Sequence, residues 1–162
     1  MTDNRANEAH WEHMAHMNVS TIGFTNKSAE KFFGLLRKAD VRAVLDVRLN
    51  NTSQLAGFTK KDDLKFFLSE ILGAQFIELR DLAPEKEMLK RYQKKELSWD
   101  QYATQYIELL AKRRIESNLD ISLFDKGCLL CSEDTPHYCH RRLAVEYLNS
   151  RWDNRLKVTH LF

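Results

Sequence analysis

Two runs, VRAVLDVRL at 41–49 and KGCLLCSE at 126–133, constrain this chain more than any other feature, because both are nearly continuous in apolar residues. A strand with one wet face alternates apolar and polar residues. One covered on both faces need not, so these runs predict strands buried on both sides, as in a parallel sheet. Each is followed by a stretch of helical period. After the first, Leu64, Phe67, Leu68, Ile71 and Leu72 fall on one stripe closed by Gly73; after the second comes PHYCHRRLAVEYLNSR. Parallel strands need such crossovers.

The same alternation extends in both directions. VSTIGF predicts a short strand, and TNKSAEKFFGLLRKA a helix with Ser28 as its N-cap. AQFIELRDL at 74–82 predicts a third strand, followed by helices over about 85–95 and 98–116, the latter capped by Ser98, and LKVTHLF predicts a closing strand. The expected fold is α/β: a single domain over 18–162, with an open, mostly parallel sheet of about four or five strands flanked by helices in a Rossmann-like layering. With only 5 Gly and 2 Pro in 162 residues, regular elements should dominate. Residues 1–17 are read as an extension. His10, His13 and His16 are spaced for one helix face, yet a loose terminus accounts for them better than a metal site.

Charge narrows the function classes. The chain carries 25 basic and 23 acidic residues, so any site for an anion must be local rather than global. No run approaches the ~20 apolar residues of a membrane span. No membrane partner is expected, and the default location is the cytoplasm. Three cysteines, an odd number, predict reduced thiols rather than a disulfide framework. Neither GxxxxGK[ST] nor GxGxxG occurs, and no cofactor is expected.

In open α/β sheets ligands sit beyond the carboxyl ends of the strands. Applied to this chain, that rule selects Asn26 after the first strand, Asp46, Arg48 and Ser53 at and after the second, and Glu133, His137, Cys139, His140 and Arg141 after the fourth. Arg48 and Arg141 suit phosphate or carboxylate oxygens, and the N-terminus of the last helix adds free N–H groups. Asp46 and Glu133 are candidates for acid–base work or for orienting Arg48 and His140. Cys139, placed near a helix start expected at Pro136 with Asp134 or Thr135 as cap, is the candidate thiolate. His137 and His140, three apart, share roughly one helix face.

The first reading is therefore an enzyme-like protein that holds an anionic ligand, expected to bear phosphate, a small molecule such as a nucleotide or a nucleic acid end. Its alternatives are a non-catalytic sensing module and a thiol or zinc protein using Cys131, Cys139 and His140. A zinc set that also took Cys128 is disfavoured, since residues three apart in a strand point to opposite faces. The competing account of Arg48 is a salt bridge to Asp46 or Glu133.

The stretches TIGFTNKS, LDVRLNNTSQLAGFTKKDDLKFFL, LRDLAPEKE, CLLCSEDTPHYCHRRLAVEYL and VTHL resemble the bacterial and archaeal family named domain of unknown function 488, over roughly residues 20–162. The resemblance implies a compact α/β fold. It also implies a shared polar cluster of Asn26, Asp46, Arg48, Ser53, Glu133, Cys139, His140 and Arg141. It supplies no substrate. Where many members carry His between the glycine and threonine after the first strand, this chain has Phe24.

Overall fold

Five strands lie side by side in the order β3-β2-β4-β1-β5, every neighbouring pair parallel, in a computed structural model that describes residues 16–52 and 56–162. They are β1 (Met17–Gly23), β2 (Ala43–Asp46), β3 (Gln75–Glu78), β4 (Gly127–Cys131) and β5 (Leu156–Leu161). The helices among the described residues are α1 (Ala29–Lys38), α2 (Lys61–Phe67), α3 (Lys86–Gln93), α4 (Trp99–Arg113), α5 (Ile115–Asn118) and α6 (His140–Arg151). This is the open α/β sheet expected. None of the described helices is long and apolar enough to cross a membrane.

Strand parity sorts the core. Val44, Cys128 and Leu130 pack with Phe32, Phe33 and Leu36 of α1 and Leu64 of α2, while Leu45, Leu129 and Cys131 pack with Tyr106 and Leu110 of α4 and Ala144 of α6. The two apolar runs are covered on both sides, and β4 is buried at every residue. Cys128 and Cys131 do face opposite layers, as their spacing requires.

Local signals place the helix ends. Ser28 accepts from the Lys31 N–H, and Ser98 forms a reciprocal capping box with Gln101. Gly73, at φ 61°, closes the π-helical turn Leu68–Leu72 that continues α2, a conformation a side chain would strain.

One boundary differs. The last helix begins at His140 rather than Pro136, with Cys139 as its N-cap in extended conformation. The Asp134 carboxylate expected to cap it instead takes the buried Lys27 ammonium at 2.6 Å. Arg142 donates to the carbonyls of Pro136 and His137, and Arg141 to those of Glu133 and Asp134. Residues 132–138 thus form a loop bound by side chains rather than a first helical turn.

A polar network ties the carboxyl ends of β2 and β3 together. The Asn51 amide donates to Asp46 at 3.0 Å and to Glu78 at 2.8 Å, and Glu78 also meets Lys61 at 2.8 Å and Arg80 at 3.0 Å. The Lys61 and Asn51 hydrogen bonds hold the Glu78 carboxyl at about 2, against an ordinary 4.5. A depressed folded-state pKa stabilises above the unfolded value, so this contribution is complete above about pH 4.5 and is lost as pH falls toward 2. Urea midpoints measured from pH 5 to 2.5 should fall more steeply for the wild type than for Glu78→Gln.

Candidate functional site

A cavity of about 240 Å³ opens at the carboxyl edge of the sheet. Its wall comes from the end of β2 (Arg48, Leu49, Asn50), from α3 and α4 (Leu89, Tyr92, Gln93, Tyr102), and from β4 and its loop (Cys131, Ser132, Glu133, Tyr138, Cys139, His140). The crevice rule applied to the sequence selects this edge. Of the residues it selected, Arg48, Glu133, Cys139 and His140 line the cavity. Asp46 lies beneath Arg48, Asn26 and His137 are exposed outside the lining, and Ser53 falls outside the described residues.

Both arginines prominent in the sequence are held by the protein. Arg48 is buried, with Nε and Nη2 donating to the two Asp46 oxygens at 2.8 and 2.9 Å and Nη1 donating to the Thr59 carbonyl at 2.8 Å. The Phe24 ring lies 5.8 Å from its guanidinium and gives it an apolar floor. Arg141 is wholly buried. Its Nε donates to Thr21 Oγ1 at 3.2 Å, and its Nη groups donate to the Glu133 and Asp134 carbonyls and, at 3.6 Å, to the Cys139 sulfur. Arg48 thus follows the salt-bridge account, and Arg141 is a strut that fixes the β4–α6 loop.

That loop approaches β1 so closely that only glycine fits at position 23. A Cβ there would come to 1.5 Å from the Glu133 carbonyl oxygen and 2.8 Å from Arg141 Nη1. Gly23→Ala must displace the loop. It should destabilise the chain by about 1–3 kcal/mol in chemical denaturation and disturb the thiols that the loop carries.

The chemistry of the cavity is concentrated in Cys131, Cys139 and His140, three buried residues whose donor atoms lie within 4.8 Å of one another. Cys131 ends β4 on the face toward α4, Cys139 caps α6, and His140 is that helix's first residue. The His140 Nε2 lies 2.9 Å from the Val47 carbonyl, which only accepts, so Nε2 carries a proton; Nδ1 keeps its lone pair in the neutral ring and takes the second proton in the charged one. The Cys131 sulfur is 3.5 Å from Nδ1 and 3.8 Å from Nε2; the first is the interaction available to the lone pair.

Electrostatics separates the two thiols. The hydrogen bond from Cys139, then the charge and hydrogen bond of His140, hold Cys131 well below an ordinary thiol despite burial. Burial, then the Cys131 thiolate, drives Cys139 upward. Burial opposes ionisation of the His140 ring, yet the Cys131 thiolate raises its pKa. Of the two thiols, Cys131 is the one held low and Cys139, the expected thiolate, the one pushed up. Burial raises Glu133 at the cavity wall, with Cys131 adding to it.

A family model described as Domain of unknown function DUF488 matches residues 28–148. The chain belongs to this family. The DUF488 match includes α1, the β2 and β4 ends that wall the cavity, and the whole loop from Cys131 to Arg141. It leaves β1 and β5 outside its limits. No curated protein and no solved structure matched the chain.

Sequence reasoning missed three contributors. Val47 acts through its backbone, which no side-chain pattern reports. Tyr92 and Tyr102 lie on helices whose spacing reads as core, and they do stack, with ring centroids 4.7 Å apart. Tyr102 also lines the cavity, and its hydroxyl is buried without a protein partner.

Proposed function

We propose that this protein is an enzyme whose centre is a zinc-type ion held by Cys131, Cys139 and His140, with a fourth position open to the cavity. The observation that carries the reading is the convergence of two thiols and one imidazole, all buried, on one point. In a tetrahedral zinc site with bonds of ~2.3 Å to sulfur and ~2.0 Å to nitrogen, sulfur and nitrogen ligands stand about 3.5 Å apart. The Cys131–His140 distance of 3.5 Å matches that edge. The Val47 carbonyl supplies the outer support that zinc-binding histidines use to fix their tautomer and orientation.

Charge supports it as well. Two thiolates neutralise a dication, and the buried Arg141 beside Cys139 favours the thiolate form of that ligand. Three protein ligands with an open position are the pattern of catalytic rather than structural zinc. The ion's chemistry there is Lewis-acid polarisation of an oxygen or activation of water. A phosphate-bearing ligand held by Arg48 and Arg141 has less support, since both guanidiniums are committed to protein acceptors.

The lowered Cys131 thiol beside His140 favours one competitor, a metal-free thiol enzyme in which Cys131 is the nucleophile. Purification without chelator, followed by elemental analysis and alkylation, separates the two. The metal reading expects one zinc per chain and thiols protected until the ion is removed. A chain without metal, with Cys131 alkylated rapidly at neutral pH, supports the thiol enzyme instead.

A further inference from the structure

Cys131 and Cys139 have each other as their thiol partner. Their sulfurs lie within 4.8 Å and share a hydrogen bond, whereas Cys128 packs in the opposite layer, with α1. Such a pair can satisfy its sulfurs in two ways, by sharing a cation or by sharing a bond. The surroundings accept both. With the sulfurs bonded to each other, Arg141 keeps Thr21 and the Glu133 and Asp134 carbonyls as acceptors, and His140 keeps the Val47 carbonyl. No buried donor is stranded. Closing the sulfurs from within 4.8 Å to the ~2.05 Å of a disulfide falls to Cys139. It ends loop 132–138 in extended conformation, whereas Cys131 is fixed in β4, the central strand.

We infer that the centre is a redox switch, in which hydrogen peroxide entering the cavity oxidises Cys131 and Cys139 to a disulfide and the ion they held is released. In the first step one thiolate attacks a peroxide oxygen; an S–O bond forms, the O–O bond breaks and hydroxide leaves. In the second, the other thiolate attacks that sulfur; the S–S bond forms, the S–O bond breaks and a second hydroxide leaves. Two protons from solvent turn the hydroxides into water. Two thiolates thus lose the two electrons that one peroxide gains, and His140 alone does not hold the ion. Burial selects the oxidant. Cys131 is 4% and Cys139 2% exposed, both on the cavity wall, so a bulky disulfide such as that of glutathione cannot align its sulfurs with theirs. Hydrogen peroxide is little larger than water, which takes ~30 Å³ of the liquid, and the cavity offers about 240 Å³.

The inference rests on the metal reading, and one experiment tests each separately. The zinc-loaded chain is exposed to hydrogen peroxide or, in parallel, to glutathione disulfide, while a zinc dye follows the ion. Free thiols are then blocked with N-ethylmaleimide under denaturing conditions, and the chain is cleaved after Glu133, which parts Cys139 from Cys128 and Cys131. Fragment masses across Leu129 and Leu130 tell the latter two apart. The expected result with peroxide is a Cys131–Cys139 disulfide with one zinc released for each disulfide, both reversed by dithiothreitol and added zinc; glutathione disulfide gives neither. Thiols that stay reduced in excess peroxide, sulfinic acid at Cys131 with Cys139 still alkylated, a disulfide to Cys128, or equal reaction with glutathione disulfide overturns the inference and leaves the metal reading standing. A reduced chain that holds no zinc, or one that keeps its zinc after the disulfide forms, removes both.

Discussion

Asp46→Ala is expected to lower stability by about 3–5 kcal/mol, the cost of leaving a buried cation unpaired. At 162 residues, each kcal/mol moves Tm by about 2–4 °C, so the loss should exceed roughly 6 °C. Asp46 is 1% exposed and answers Arg48 through both carboxylate oxygens while also receiving the Asn51 amide. The double variant Asp46→Ala with Arg48→Met should recover much of the loss, since no unpaired charge then stays buried. Chemical denaturation of the three variants gives the coupling directly. A single-variant loss under 1 kcal/mol would show that Arg48 finds another anion or reaches solvent.

Removing one sulfur from the centre should have the largest effect on metal. Cys131→Ser is expected to weaken zinc binding by more than about 100-fold, because loss of an outer-shell partner alone costs ~10–100-fold. Cys128→Ala is the control. Cys128 lies on the same strand but faces α1, with its thiol raised by burial. It should lose stability through the cavity left in the core and keep its metal. Competition against a chelating dye reads both. If the two variants release zinc alike, the ion does not lie at Cys131.

How much of this was legible in the sequence depends on the range of the interaction. The apolar runs of β2 and β4, the Ser28 and Ser98 caps and the Gly73 stop are local features, and each appears where its residues indicate. Strand parity separated Cys128 from Cys131 without coordinates. The start of α6 was not legible, because Lys27 takes Asp134 from more than a hundred residues away and Arg141 and Arg142 hold the loop carbonyls. An arginine's need for oxygen acceptors was clear from its chemistry. That Arg141 would meet carbonyls of its own loop depends on how closely that loop approaches Gly23. Nearness to a helix start points to Cys139 as the thiolate, whereas the contact of Cys131 with His140 follows from the loop path between them.

X-ray absorption at the zinc edge of the metal-loaded chain reads the ligands of the ion one by one. Two sulfur scatterers at about 2.3 Å and two lighter ones at about 2.0 Å are expected, one carrying the imidazole signature of His140. In Cys131→Ser at matched loading, one sulfur should be lost. Zinc surrounded only by oxygen and nitrogen, or a sulfur count unchanged in Cys131→Ser, would contradict the account.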